Sequence, residues 1–271
     1  MKKHLIAIDL DGTALYNMWT MTDLTINTLK KINELGHEVV ISTGRAFRTS
    51  THFYNLLDLK TPIINHNGAL ISNPTNDEFK RIERFVSYND VIKIFMNNKM
   101  YIQNAFAEYL EDYYVLEYND FMKGLIHPDP QGGDIIEGPF NETLKINVNG
   151  FLIVAKENKG HLIEKYIKEN FNGKIDCRNW GGNNSHIIEV FISSTDKGSA
   201  LKYVADYLEI DIKNVIAFGD GDNDVGMLEV AGLGVAMSNA TVNAKKASDL
   251  IIGHHQEDSV ANYLISYFKI G

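Results

Sequence analysis

The chain has 271 residues and a formal net charge of −9, with 35 acidic against 26 basic side chains. That length buries enough core to fold without staples, as one large domain or two ordinary ones. The acidic balance argues against a nucleic-acid or anionic-membrane partner, and a lone cysteine, Cys177, leaves no intrachain disulfide or thiolate zinc site.

From the N-terminus, Lys2 and Lys3 precede His4-Leu5-Ile6-Ala7-Ile8, an apolar run that Asp9 and Asp11 cut too short for a signal peptide. No apolar stretch approaches the length of a membrane span, so the protein is expected to be soluble and cytoplasmic. The run reads as a buried strand, and Asp9-Leu10-Asp11-Gly12-Thr13 as its exit loop. Side chains two apart on a strand point the same way, so Asp9 and Asp11 are expected to face one point. Two carboxylates that close repel unless a cation or proton lies between them; the plain alternative is a solvated Asp-Gly turn.

Further elements follow at helical and strand spacing. Thr22 to Ile32 has the period of a helix, with Thr22 or Asp23 as N-cap, and Gly36 stops it. Glu38 to Ser42 reads as a second buried strand, Phe47 to Leu57 as a helix, and Pro62 to Asn65 as a third strand ending in the turn signal Asn67-Gly68. Between about Glu83 and His186 the pattern changes. Helices over Asn89 to Asn98 and Asn158 to Asn170 join alternating segments such as Thr143-Leu144-Lys145-Ile146-Asn147-Val148. This predicts a mainly antiparallel sheet with one face covered and the other open. Beyond it, Gly198 to Leu208 reads as a helix, Asn214 to Phe218 as a strand and Asp224 to Val230 as a helix. Leu233 to Met237 and Asp249 to Ile252 read as the last strands. The expectation is an α/β core of residues 1–82 and 188–271, a doubly wound parallel sheet, with an inserted α/β domain at 83–187.

Three more polar clusters fall where core strands should end: Ser42-Thr43-Gly44-Arg45, Asp196-Lys197-Gly198 and Gly219-Asp220-Gly221-Asp222-Asn223-Asp224. Singly, each has a dull explanation: an N-cap, a solvated charge, an acidic turn. The acidic loop lacks the spaced ligands of an EF-hand. Together, in this order and at the carboxyl ends of a parallel sheet, they mark a site.

These residues give the chain a resemblance to the haloacid dehalogenase-like hydrolase superfamily, in its Cof-type sugar-phosphatase-like branch. Asp9-Leu10-Asp11-Gly12-Thr13 is similar to the first motif, Thr43 with Gly44-Arg45 to the second, and Lys197 to the third. Gly219-Asp220 with Asn223-Asp224 is similar to the fourth. Asn67-Gly68-Ala69 and Ser238-Asn239-Ala240 also resemble this branch, and the insertion resembles its larger α/β cap. One departure is Asp258-Ser259-Val260, where the family has Asp-Gly-Val.

The resemblance implies a Rossmann-like core, a cap that sets specificity, and Mg2+-dependent hydrolysis of a small phosphate ester through an aspartyl-phosphate. Phosphate-ester hydrolysis needs positioning and charge neutralisation because both reactants are anionic. Asp9 is the candidate nucleophile and Asp11 the candidate acid and base. Leu10, Thr43, Gly44, Lys197 and Asn223 are the candidate phosphate or substrate contacts. Asp9, Asp11 through its carbonyl, and Asp220 are the candidate magnesium ligands, with Asp224 behind them. Arg45 is read equally as an ion-pair partner or a substrate contact.

Other functions fit less well. A response-regulator receiver would be much shorter and lack the insertion. A phosphomutase on the same core must grip a second phosphate, and Arg178 is the only arginine between Phe85 and Val190. The loops at His127-Pro128-Asp129-Pro130 and Asn179 to Asn184 are candidates for specificity, against the plainer reading of ordinary turns.

Overall fold

Short apolar runs closed by polar turns become strands buried on both faces. The computed structural model describes residues 2–126, 133–180 and 186–270. In it β1 (Leu5–Ile8) is fully buried. Next come α1 (Asp23–Glu34), capped by the Thr22 side chain accepting from the Thr25 N–H, and β2 (Glu38–Ile41). α2 (Phe47–Leu56), β3 (Ile63–Asn65), β4 (Leu70–Ser72) and β5 (Ile82–Glu83) continue the chain. The middle segment supplies α3 (Tyr88–Asn98), β6 (Ile102–Tyr109), β7 (Asp112–Val115), α4 (Asp120–Ile126) and β8 (Ile135–Glu137). It continues with α5 (Phe140–Thr143), β9 (Gly150–Ala155), α6 (Gly160–Asn170), β10 (Ile175–Asn179) and β11 (Ile187–Ile192). The last part holds α7 (Lys197–Tyr207), β12 (Val215–Gly219), α8 (Val225–Val230) and β13 (Leu233–Ala236). It closes with α9 (Val242–Ala247), β14 (Leu250–Ile251) and α10 (Ser259–Phe268).

The chain divides into two units. The first comprises Met1–Arg45, Ser50–Ile82 and Asp196–Gly271; the second comprises Ala46–Thr49 and Glu83–Thr195. In the first, a sheet of order β14-β13-β12-β1-β2 is parallel throughout. Leu5, Ala7 and Val40 pack with Ala200, Leu201 and Val204 of α7 in one core. By strand alternation Ile6, Ile8, Val39 and Ile41 face the other side, and they too are fully buried. The fold is therefore the doubly wound α/β arrangement, with strands apolar at nearly every position because helices cover both faces. Asp258-Ser259-Val260 forms the start of α10. Asp258 takes a left-handed φ of 53°, and the Ser259 hydroxyl donates to the His254 carbonyl at 2.8 Å.

The second unit carries a six-stranded sheet of order β10-β11-β9-β6-β7-β8, antiparallel except for the β7–β8 pair. Two sequence expectations are corrected here. Leu144 to Val148 is not a strand: after α5 only Val148 pairs, in an isolated bridge to Val86. Leu144 and Val148 are buried in the unit's core, so the alternation reports burial without strand pairing. Nor is the second face of the sheet wholly open: it is covered over β6, β7 and β9, while Arg178 and Glu189 on β10 and β11 stay partly exposed. Phe151 and Ile153 pack on the face of α3 and α6. Their neighbours Leu152 and Val154 join Phe106, Val115, Met122 and Ile126 in a second cluster under α4. The helix α4 supplies the cover that alternation alone does not reveal.

Candidate active site

The parallel sheet fixes where the polar loops go. Ile8 pairs with Ile41 on one side and Phe218 on the other, so Asp9, Thr43 and Asp220 leave the same edge. Asp9, Asp220 and Asp224 each offer an oxygen within 4.8 Å of the others. Lys197, the first residue of α7 and fully buried, donates from Nζ to Asp9 Oδ1 and to Asp224 Oδ1, both at 2.6 Å. Asp224 is also fully buried, and its Oδ2 accepts the Asp220 and Gly221 N–H groups at 2.9 and 2.8 Å.

Three carboxylates surround one ammonium, and the surplus negative charge shows in the acidities. Burial pushes the Asp9 carboxyl well above the usual range; Lys197 opposes this, while Asp224, Asp220 and Asp11 add to it. Burial and the Asp224 charge raise Asp220 to about 6, against the pull of its bond from Thr13. Burial by itself would lower the Lys197 ammonium, but Asp224 and Asp9 outweigh it and raise its pKa, keeping it charged. An all-carboxylate donor set with unbalanced charge fits a hard divalent cation.

Asp11 does not join this cluster. The strand ends at Ile8, and Leu10–Ala14 coils into one tight turn with non-helical dihedrals at Asp11 and Gly12. Strand alternation therefore no longer applies, and the expected convergence of the two side chains is corrected. The Asp11 carboxylate is half exposed and accepts from Arg45 Nε at 2.7 Å and from a second guanidinium nitrogen at 2.6 Å. That same nitrogen donates to the Met18 carbonyl at 2.6 Å, and the Trp19 ring lies 5.2 Å from the guanidinium carbon. Arg45 is thus an ion-pair partner of Asp11. Gly12 is needed where it stands: φ is +72°, and a Cβ would come within 2.3 Å of an Asp220 oxygen.

The other predicted positions lie on the same edge. Thr43 is fully buried and its Oγ1 accepts the Arg45 N–H at 3.1 Å. Gly44 follows it, and a Cβ there would meet the Asn67 amide at 3.2 Å. Asn223 donates through Nδ2 to Asn67 Oδ1 at 2.9 Å. Leu10 buries its side chain completely, so only its main chain can face a ligand. Of the specificity candidates, 127–130 and 181–184 lie outside the described residues. Asn179 donates to Glu164 at 3.2 Å, and the Trp180 side chain is exposed.

Sequence reading placed two supporting residues in motifs without a role. Thr13 donates to Asp220 Oδ1 at 3.0 Å. Asn239 donates to the Gly12 carbonyl at 2.8 Å and to Asp220 Oδ2 at 3.3 Å, and accepts the His255 N–H at 3.2 Å. The usable signal for Asn239 was its place just after the strand Leu233 to Met237, where the other clusters also sit.

The strand-end aspartate Asp9 is thus bonded to a buried lysine that a distant part of the chain supplies. The haloacid dehalogenase-like hydrolase family matches residues 6–264, and the chain belongs to that family. Within it, its relatives are the Cof-type phosphatases. It is 34% identical over 271 residues to the 5-amino-6-(5-phospho-D-ribitylamino)uracil phosphatase YitU of Bacillus subtilis (strain 168), covering 99% of both chains. YcsE of the same organism, which carries the same enzyme name, is 30% identical over 261 residues, 95% of this chain and 92% of that one. Among solved structures, a haloacid dehalogenase-like hydrolase from Bacteroides thetaiotaomicron superposes with a TM-score of 0.82 at 25% identity. The match covers 98% of this chain and all of the other. No helix among the described residues is long and apolar enough to cross a membrane.

Proposed function

We propose that this chain is a magnesium-dependent phosphatase that hydrolyses a small phosphate monoester through an aspartyl-phosphate on Asp9. The observation that carries the reading is the buried Lys197 bonded to both Asp9 and Asp224 within a surplus of carboxylate. A structural ion pair would be balanced, whereas this cluster asks for a cation and an anionic ligand together.

Each side chain then has a task. Asp9 attacks phosphorus, and the leaving alkoxide departs with the proton of Asp11. Asp11 next takes a proton from the water that cleaves the aspartyl-phosphate, which regenerates Asp9 and releases phosphate. Lys197 anchors Asp9 at Oδ1, fixing its direction, and offsets charge on the phosphoryl oxygens. Thr43, Gly44, Asn223 and the main chain of Leu10 hold those oxygens. Asp224 orients Lys197 and the loop at Asp220, because donors occupy both of its oxygens. Arg45 steers the Asp11 carboxylate. A magnesium ion, held by the Asp9 and Asp220 carboxylates and the Asp11 carbonyl, would neutralise charge on substrate and site.

The inserted unit, 83–187 in the sequence reading, is the proposed specificity cap. The mutase alternative finds no support there: Arg178 donates to Glu189 at 3.1 Å and lies over the Phe191 ring, so its fork is engaged. The first substrate to test is 5-amino-6-(5-phospho-D-ribitylamino)uracil, on the strength of the 34% identical relative. The test is phosphate release, with magnesium, from that compound, sugar phosphates, pyridoxal phosphate, flavin mononucleotide and nucleotides. Turnover by wild type and none by Asp9→Asn is expected. No release from any ester, or equal release by Asp9→Asn, overturns the reading.

A further inference from the structure

Asn67 has no task in the scheme above, yet three loops of the site meet on its turn. Its N–H donates to the Thr43 carbonyl at 3.1 Å, and its Oδ1 accepts from Asn223 Nδ2 at 2.9 Å. The plane of its amide lies against Gly44, where a Cβ would stand 3.2 Å from Oδ1 and 3.3 Å from Nδ2. The next residue, Gly68, has a φ of +98°, and a Cβ there would come within 2.6 Å of the Asp196 carbonyl, one residue before Lys197. The turn is therefore pressed against the second, third and fourth strand-end clusters at once.

The backbone of this turn is unusual. His66 and Asn67 have φ of +46° and +54°, both are buried, and neither is glycine. Consecutive left-handed residues of this kind persist only where the surroundings hold them. Backbone demand alone would be met by glycine at 67. An asparagine there adds an oriented acceptor, and a donor amide such as that of Asn223 takes its direction from the acceptor it meets.

We propose that Asn67 is a positioning residue for the phosphate grip: its side chain fixes the Asn223 amide and its N–H fixes the Thr43 loop. This rests on the reading of Thr43 and Asn223 as phosphate contacts. Asn67 touches neither substrate nor metal in this role; it sets the angle at which Asn223 donates.

The test compares wild type, Asn67→Gly, Asn223→Ala and the double variant in the full chain. The readouts are kcat and KM for p-nitrophenyl phosphate with magnesium, and the inhibition constant of inorganic phosphate. Glycine at 67 keeps the turn and removes only the amide. KM and the phosphate inhibition constant should each rise about fivefold in either single variant, with kcat within about twofold, as expected for one lost hydrogen bond. The double variant should be no worse than Asn223→Ala, because the two residues act as one unit. Thermal melting verifies folding. If Asn67→Gly does not fold, Asn67→Ser, whose shorter side chain falls short of Asn223 without adding charge, takes its place, and its effect should again fail to multiply with Asn223→Ala. Wild-type kinetics in Asn67→Gly, or effects that multiply in the double variant, overturn the proposal. A wild-type protein that releases no phosphate from any ester overturns the phosphatase reading itself, and this proposal with it.

Discussion

The two units bury polar groups in opposite ways. In the inserted unit several such groups bond the main chain of their own or neighbouring elements. Asn98 donates to the Ile94 carbonyl, Asn104 bonds the main chain of Glu117 and Ala105, and Asn149 accepts the Leu110 N–H. Its buried ion pair, Arg48 with Glu108, bonds directly at the guanidinium, Glu111 adds its charge nearby, and Arg48 also donates to Tyr113 and to the Leu110 carbonyl. In the first unit three carboxylates crowd one lysine, and residues from opposite ends of the chain supply them. A bonded buried pair holds a shape, whereas carboxylates crowded round one lysine are the arrangement expected of a ligand site. The proposed chemistry therefore draws on the parallel sheet, with the inserted unit as its proposed specificity cap.

The sharpest break of that comparison comes from the charges themselves. Asp9→Asn should lower kcat by at least about 10^4-fold, since Asp9 is the proposed nucleophile. The same change relieves the crowding, so the metal-free variant should melt above metal-free wild type. Substantial turnover in Asp9→Asn, or a lower melting temperature, would separate the cluster from the chemistry. Chelation with EDTA should stop turnover and added magnesium restore it. Calcium should substitute poorly, because its larger and looser shell spoils the angle of attack. Full activity in exhaustively chelated protein would remove the metal from the scheme.

The converse change lies in the inserted unit. Glu108→Gln removes the bonded counter-charge of the buried Arg48 and should cost about 3 kcal/mol of stability, measured by urea unfolding. The folded variant should keep kcat within a few-fold, since the pair has no chemical task. A variant of full stability with lost turnover would reverse the assignment.

A smaller effect follows from proton linkage. In the folded protein Asp220 sits at about 6, raised from 3.8, so the native state holds this proton more tightly than the unfolded chain does. Stability from this source is present below about pH 4 and is lost as pH rises through about 6, on the order of 3 kcal/mol in all. Asp9, also raised, acts with the same sign. Metal-free protein should thus melt higher at pH 5 than at pH 7.5, and magnesium should abolish the difference. A melting temperature that rises with pH over this range in metal-free protein would contradict the charge surplus. The smallest expected effect is that of Arg45→Ala, about a tenfold loss of kcat/KM through misdirection of Asp11, with Arg45→Lys intermediate. An unchanged kcat/KM would leave the pair without a role in turnover.

Much of the architecture was legible because burial writes itself locally. β1, β2 and β12 are parallel strands covered on both faces, so each is a short unbroken apolar run, and the polar residue that ends it marks the sheet edge. α1 carries its own cap at Thr22. The same logic misled where burial and pairing part company, as in Leu144 to Val148, and where α4 covered a face that alternation left open.

Residue type and short-range period carried the core strands and helices, the family resemblance and the candidate site residues. Which groups touch was a matter for the fold. Lys197 reaches Asp9 across 188 positions, Thr13 reaches Asp220 across 207, and Asn239 reaches Gly12 across 227. It also turned Asp11 away from Asp9 toward Arg45 and set Asn67 between Thr43 and Asn223. The physical reason is range: backbone periodicity is written within a few residues, whereas the field that sets a carboxylate's acidity comes from whatever the fold places within a few ångströms.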